Sequence, residues 1–240
     1  MRAQHERESD HSLYIIGDIH GRLDALDAII SAIRRDMEAH SVEDATTVTL
    51  GDYVDRGPAS QAVLARLFAN PFPTPHVALR GNHEQMLEAF LSDPSVAHQW
   101  RQLGGLETLH SYGVAVDRVM IGKGFDAAAA ALRAAIPSEH LDFLRSLQNS
   151  YARGGVFVCH AGVRPGVPLE RQAANDLLWI RGEFLKSGQD FGKLVIHGHT
   201  PVEWPEVLPN RINIDTGAYL TGRLTCLVLD RGERRFLHTA

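Results

Sequence analysis

Short apolar runs that stop at glycine alternate with helical repeats along the first third of the chain. The runs Leu13–Ile16, Thr46–Leu50 and His76–Leu79 predict buried strands. Apolar residues recur at helical spacing from Leu23 to Met37, which predicts a helix of about four turns, and Gln61–Phe68 fits a second helix. This alternation predicts βαβ units and a largely parallel sheet.

The pattern changes after the third strand. Residues 84–147 are mostly helical in pattern, and we interpret them as a helical insertion rather than a separate domain. Its predicted helices are Met86–Leu91, Val96–Leu103, Phe125–Ala135 and Pro137–Leu147. The last third is rich in predicted strands, which are Val156–Cys159, Leu194–Ile196, Arg211–Ile214, Leu224–Leu229 and Arg234–Leu237. The final two are expected to pair as a hairpin across Asp230–Glu233.

Composition narrows the functional classes. The chain of 240 residues has 24 Lys and Arg against 29 Asp and Glu, a net charge of −5, and no basic block. Binding to nucleic acid or to an anionic membrane is therefore not expected. Two cysteines give no disulfide framework, and no apolar run approaches the roughly 20 residues of a membrane helix. We expect a cytoplasmic protein with a mobile N-terminus at 1–11 and a single catalytic domain at 12–240. Its oligomeric state stays open.

The chain has 13 histidines, and the informative ones are those that lie at the ends of predicted strands. Five polar loops follow predicted strands, at Gly17–Gly21, Gly51–Gly57, Gly81–Glu84, His160–Gly162 and His197–Thr200. In open α/β sheets, ligands bind beyond the carboxyl ends of strands, so these loops should converge. Carboxylate, imidazole and amide oxygen without thiolate suit manganese, iron or zinc. The sequence therefore predicts a metal site on this rim.

The order of the motifs is more specific than any one of them. GDIHG, GDYVDRG, GNHE, HAG and HGHT span residues 17–200. This set resembles the phosphoprotein phosphatase family of metallophosphoesterases. GNHEQM, Trp100 with Gly104-Gly105, LLWIR, HGHTP and IDTGA are similar to the bacteriophage lambda phosphatase and its bacterial relatives. The resemblance implies an α/β, calcineurin-like fold: a central β-sandwich of mixed sheets flanked by helices, with the helical insertion around 84–147.

The resemblance also implies a role for each matching residue. Two divalent metal ions are expected, manganese first, with iron or zinc as alternatives. The implied metal ligands are Asp18 and His20 for one ion, Asp52 as the bridge, and Asn82, His160 and His199 for the other. His83 would be the general acid and Asp55 the group that orients it, while Arg56 and Arg181 would bind phosphate. With both metals bound, the site should be positive although the chain is acidic.

Other roles stay open for several of these residues. Asn82 could cap the following helix, and His83 could be a helix-start residue or lie behind the ligands. Asp55 could pair with Arg56 or cap the helix from Ala59 instead of orienting His83. Arg181 could be a solvated helix residue. In HGHT, the family's ligand matches His199, so His197 is expected to lie beside the site rather than bind metal.

Three functions compete at this stage. The first is a protein-serine/threonine phosphatase, able in principle to act on phosphotyrosine, in which a metal-bridging hydroxide attacks directly and His83 protonates the leaving group. The second is a symmetrical diadenosine tetraphosphate hydrolase, a class that typically lacks an aspartate at the position of Asp55. The third is a non-catalytic metal-binding or scaffold protein, although no implied ligand is missing. The expected substrate is a phosphorylated protein or a small phosphoester.

Overall fold

Two five-stranded sheets form the centre of the molecule. A computed structural model of the protein describes residues 11–239. The strands in this range are β1 (Ser12–Ile16), β2 (Ala45–Thr49), β3 (His76–Ala78), β4 (Ser150–Arg153), β5 (Val156–Cys159), β6 (Leu194–His197), β7 (Glu206–Val207), β8 (Arg211–Asn213), β9 (Thr225–Asp230) and β10 (Glu233–His238). The predicted hairpin near the C-terminus is present, because β9 pairs antiparallel with β10.

Both sheets are mixed. The first has the order β10-β9-β1-β2-β3 and the second β4-β5-β6-β8-β7. The inner pairs β1–β2, β2–β3, β5–β6 and β6–β8 are parallel. The pairs that involve β9, β10, β4 or β7 are antiparallel. The alternation of strands and helices thus predicts the inner strands correctly, and it misses the short edge strands β4 and β7.

Helices cover the outer face of each sheet. In the described range they are α1 (Leu23–His40), α2 (Ser60–Phe68), α3 (Asn82–Ser92), α4 (Ala97–Trp100), α5 (Gly105–Ser111), α6 (Asp117–Met120), α7 (Phe125–Ala135), α8 (Ser138–Ser146), α9 (Ala174–Trp179), α10 (Gly182–Leu185) and α11 (Ala218–Thr221). Short 3₁₀ turns lie at Pro94–Val96, Arg101–Leu103 and Leu169–Arg171. None of the helices within 11–239 has the length and apolar character that a membrane span requires.

Three apolar clusters hold the layers together. One lies between the sheets and joins Ile15 and Val48 of the first to Val158 and Ile196 of the second. A larger cluster packs α1, α2 and the insertion on the outer face of the first sheet. A third packs α9 and α10 on the second sheet, around the fully buried Phe184. The predicted β-sandwich of mixed sheets flanked by helices is confirmed. That residues 12–240 form one catalytic domain stays a prediction.

The insertion is more divided than its pattern predicts. The single helix expected over Val96–Leu103 is a 3₁₀ turn, the short α4 and a second 3₁₀ turn, which ends at Gly104 with φ 102°. The helices α5 and α6 were not predicted. At the other end of the chain, the segment predicted to be mobile falls mostly outside the described residues. His11 itself contacts Thr46 Oγ1 through Nε2, at 2.8 Å.

A buried carboxylate ties together the loops that follow β2 and β3. Both Glu84 oxygens accept backbone N–H groups: Oε2 from Asp52 and Gly81 at 2.8 and 2.9 Å, Oε1 from Tyr53 and Val54 at 2.7 and 3.2 Å. The loops after β2 and β3 also pass each other closely at Gly51 and Gly81. Gly51 has φ 103°, and a Cβ there would lie 2.4 Å from the Gly81 nitrogen. Glu84 therefore satisfies four buried donors that have no strand partner.

Replacing this carboxylate should be costly. In Glu84→Gln, the amide NH₂ faces N–H donors and leaves some of them unpaired, so we expect a loss of about 2–3 kcal/mol in the free energy of unfolding. Denaturant unfolding in the presence of chelator measures it. Glu88→Gln is the matched control, because Glu88 lies on the same helix in a partly exposed ion pair with Arg80. It should change stability by less than about 1 kcal/mol. Equal effects of the two variants would contradict the role of Glu84.

Candidate active site

The loops after β1 and β2 are joined by backbone hydrogen bonds. The N–H groups of Ile19 and His20 both donate to the Asp52 carbonyl, at 3.1 and 2.8 Å, and Gly21 N–H donates to Tyr53 O at 2.8 Å. These bonds bring His20 to Asp52, with 3.4 Å between His20 Nε2 and Asp52 Oδ2. The carboxylate of Asp52, 2% exposed, thus lies where the two loops meet.

Asp52 also faces the later loops. His160 Nε2 lies 3.4 Å from Asp52 Oδ1, and the same nitrogen lies 3.0 Å from Asn82 Oδ1 and 3.2 Å from His199 Nδ1. The His199 N–H donates to Asp18 Oδ2 at 3.0 Å. The six predicted metal ligands are therefore brought to one buried place.

The arrangement fits cations. His20 Nδ1 donates to Val54 O at 2.9 Å and His160 Nδ1 to Leu50 O at 3.1 Å, so each neutral ring presents the Nε2 lone pair to the site. His20 Nε2 and Asp18 Oδ1 are buried and have no hydrogen-bond partner among the described residues. The lone pair of His160 Nε2 points into the same place, toward the Asp52 carboxylate oxygen at 3.4 Å and the Asn82 amide oxygen at 3.0 Å. A bound cation would satisfy buried polar groups of this kind.

Two overlapping groups of ligand atoms fit this interpretation. One contains His20, Asp52 and His83, and the other contains Asp52, His160 and His199. Asp52 belongs to both, as a bridging carboxylate would. Burial lowers the pKa of His20 to about 3 and also lowers the pKa of His160 and His199. These three imidazoles are therefore neutral near pH 7, which is the form that binds metal.

His83 differs from the other imidazoles. Its Nδ1 donates to Asp55 Oδ2 at 2.7 Å, so the predicted pairing of the two residues is present. Burial lowers the pKa of His83, but the carboxylates of Asp52 and Asp55 outweigh it and raise the pKa above its ordinary value. Such a histidine can carry a proton at neutral pH, while its neighbours serve as ligands.

The two predicted phosphate-binding arginines lie at the rim. Arg56 Nη2 is 3.3 Å from His83 Nε2, and its guanidinium lies 4.5 Å from the centre of the Tyr219 ring. Arg181 Nε donates to His199 Nε2 at 3.0 Å. A neutral imidazole that accepts at Nε2 carries its proton on Nδ1. His199 can therefore bind metal through Nδ1 only if Arg181 turns away.

His197 lies outside this cluster. Its Nε2 is 3.3 Å from Arg211 Nη1, and its ring packs edge-on against Phe184 on the outer side of the second sheet. It is fully buried. Asp215 Oδ1 accepts the Gly217 N–H at 2.9 Å and shapes the turn beside the site.

Several residues around the site were not assigned a role from the sequence. Glu84 is the last residue of GNHE, and that motif could have pointed to it. Trp100 belongs to the resemblance but carries no implied role, and Tyr219 directly follows IDTGA. Thr108 has no sequence signal. It lies 53 residues from Asp55, to which it donates a hydrogen bond.

Backbone conformation at the site is unusual. Five of its non-glycine residues have positive φ: His20 (46°), Asp52 (52°), Asp55 (70°), Arg56 (67°) and His199 (67°). Residues with a Cβ seldom adopt this conformation, and it persists only where the surroundings fix it. The side chains are therefore aimed by the backbone of the loops rather than by regular strands.

Known proteins resemble this chain along most of its length. A relative from Bacillus velezensis, named bis(5'-nucleosyl)-tetraphosphatase PrpE (asymmetrical), is 28% identical over 88% of this chain and 86% of its own. A solved structure described provisionally as a diadenosine tetraphosphatase covers 97% of this chain and 96% of its own, with a TM-score of 0.64 and 21% identity. A cold-active protein-tyrosine phosphatase of a Shewanella species covers 96% and 82%, with a TM-score of 0.55 and 18% identity. At these identities the two structures bear on the fold alone. The family model for calcineurin-like phosphoesterases matches residues 11–209, and the chain belongs to that family.

Proposed function

We propose that this metallophosphoesterase hydrolyses dinucleoside tetraphosphates. The observation that carries the proposal is the match to a relative named as an asymmetrical tetraphosphatase over 88% of this chain and 86% of the relative. It favours the nucleotide function over protein dephosphorylation, which the sequence alone had ranked first. It also points to asymmetrical cleavage, whereas the nucleotide alternative weighed from the sequence was the symmetrical class.

Six residues are proposed to hold two divalent metal ions: Asp18, His20, Asp52, Asn82, His160 and His199. Such ions supply positive charge that polarises a phosphoryl group and activates water. Manganese stays the first choice among the metals. Two carboxylates among six ligands leave the filled site positive, and Arg56 and Arg181 add to this charge. An anionic polyphosphate is thus attracted to an acidic protein.

His83, the proposed acid, and Arg56, the proposed phosphate-binding residue, are proposed to act together. His83 holds its Nδ1 proton toward Asp55, so Nε2 is the atom that would deliver a proton to the departing oxygen. Arg56 Nη2 now donates toward this Nε2, so Nε2 can carry that proton only when Arg56 has turned to the phosphate. Because Arg56 Nη2 lies 3.3 Å from this Nε2, a phosphate oxygen bound by Arg56 is placed beside the acid. The planar guanidinium suits two oxygens of one phosphate.

A second candidate function is phosphomonoester hydrolysis on a phosphoprotein. The complete His83–Asp55 pair favours it. A serine or threonine alkoxide is a poor leaving group that needs a proton, whereas the phosphate end of a nucleotide leaves more readily. The resemblance to the lambda-like branch points the same way and stays a prediction.

A comparison of substrates decides between the two functions. With Mn²⁺-loaded enzyme, we expect kcat/KM for diadenosine tetraphosphate to exceed that for a phosphoserine peptide by about tenfold or more. Chromatography of the products separates the modes, because AMP with ATP marks asymmetrical cleavage and two ADP mark symmetrical cleavage. Faster turnover of the phosphopeptide would overturn the first proposal in favour of the second.

Metal content tests the proposed ligands. Wild-type protein dialysed against Mn²⁺ should hold about two ions per chain by elemental analysis. Asp52→Asn should lose metal from both sites, because the bridging oxygen charge is removed. Asp24→Asn is the control, since Asp24 is exposed and pairs with Arg22 away from the site. Full occupancy in Asp52→Asn would disprove the bridge.

Loss of the acid should lower turnover and spare metal binding. For His83→Asn we expect kcat to fall by roughly 10²–10⁴ while metal content stays at the wild-type value. His110→Asn, on the exposed side of α5, is the control and should keep wild-type kcat. Wild-type kcat in His83→Asn would remove His83 from the mechanism.

A further inference from the structure

The helical insertion is linked to His83, the proposed acid, by hydrogen bonds to Asp55. The Asp55 carboxylate is fully buried and accepts three side-chain hydrogen bonds. Oδ2 accepts from His83 Nδ1 at 2.7 Å and from Trp100 Nε1 at 2.9 Å, while Oδ1 accepts from Thr108 Oγ1 at 2.6 Å. Trp100 ends α4 and Thr108 lies in α5. Two of the three donors to Asp55 therefore come from the insertion.

Both donors are themselves fixed. Trp100 is 1% exposed and its ring packs 4.6 Å from that of Phe90. A Cβ at Gly105 would lie 2.4 Å from the indole, so only glycine allows α5 to start there. Thr108 is fully buried, and its Oγ1 also accepts the Asp55 N–H at 2.9 Å. The indole N–H can only donate, and Asp55 is the partner the structure gives it.

The same segment also holds Arg56. The Arg56 N–H donates to Gly104 O at 3.1 Å, and Arg56 Nε donates to Leu103 O at 3.5 Å. A Cβ at Gly104 would lie 2.7 Å from the Arg56 nitrogen. Residues 100–108 thus contact both the orienting carboxylate and the phosphate-binding arginine.

We propose that Trp100 and Thr108 are positioning residues for the acid, which act through Asp55. The proposal rests on the proposed role of His83. With three donors fixed around it, the carboxylate has one orientation, and so does the imidazole that it holds. Without the indole N–H, the carboxylate can rotate about its side-chain bonds and His83 loses its fixed direction. The insertion is then part of the acid machinery rather than a cover on the first sheet.

The test is a double-mutant cycle, because it separates this role from a general loss of structure. Trp100→Phe keeps an aromatic ring, although a smaller one, and removes the N–H. We expect its kcat to fall about tenfold in the wild-type background, within the range for loss of an outer partner of a site residue. In the His83→Asn background the same change should alter kcat by less than about twofold, since the acid is already absent. Metal content and thermal unfolding are measured for every variant, on whichever substrate wild-type enzyme turns over faster.

Thr108 provides a second, independent pair of variants. Thr108→Val removes the hydroxyl at nearly constant shape and should behave like Trp100→Phe. Thr108→Ser keeps the hydroxyl and should restore kcat to within about twofold of wild type. Trp204→Phe is the control for loss of an indole, because Trp204 is 56% exposed and stacks on Arg223.

The outcomes separate the two levels of the proposal. If His83→Asn itself leaves kcat unchanged, the proposed acid fails. If His83→Asn lowers kcat but Trp100→Phe and Thr108→Val lower it equally in both backgrounds, the positioning role alone is overturned. Wild-type kcat in both Trp100→Phe and Thr108→Val overturns it as well. Should Trp100→Phe fail to fold, the Thr108 pair decides.

Discussion

The geometry of the site depends on the buried carboxylate of Glu84, which is not among the residues proposed to bind metal or substrate. Glu84 gathers four backbone N–H groups from two loops, and without it these donors would face each other in a dry interior. Burial and the charge of Asp52 raise the pKa of Glu84 to about 7, while the charge of His83 and the amide donors favour its ionised form. With the loops joined, the Asp52 carboxylate lies between His20 and His160. The geometry of the ligands follows from this one arrangement of backbone dipoles.

Around Glu84, histidine side chains fit two kinds of chemistry, metal binding and proton transfer. His20, His160 and His199 are neutral because burial outweighs the nearby carboxylates, and their lone pairs converge. His83 is also deeply buried, yet two carboxylates reverse the direction of its pKa shift, so that its pKa is raised. The difference lies in Asp55, a carboxylate that the ligand histidines do not contact. Local pattern alone cannot separate these imidazoles, since all follow glycine-rich turns or strand ends; only the family resemblance assigned them different roles.

Strand ends with polar loops could be predicted from the sequence, because glycine after an apolar run is a local signal. The helices α1 and α7 and the final hairpin could also be predicted, because their signals lie within short stretches of sequence. The edge strand β7 has two residues and too little pattern to detect. The insertion divides into short helices because Pro94 and Gly104 interrupt it. Partners such as Trp100 and Thr108 lie 45 and 53 residues from Asp55 and meet it only through packing, so no spacing encodes them. His197 and His199 differ in direction because the first ends a strand and the second itself has a left-handed backbone conformation, with φ 67°.

The positive φ angles at His20, Asp52, Asp55, Arg56 and His199 bear on how this protein could change over time. Each such residue costs about 1–3 kcal/mol compared with a relaxed backbone. Glycine or asparagine at those positions would relieve the strain and raise stability, and would also remove the ligand, the acid's partner or the phosphate grip. Selection for stability and selection for activity therefore oppose each other at the same five positions. A thermostable descendant would have to gain its stability elsewhere, in the sheets and the outer helices.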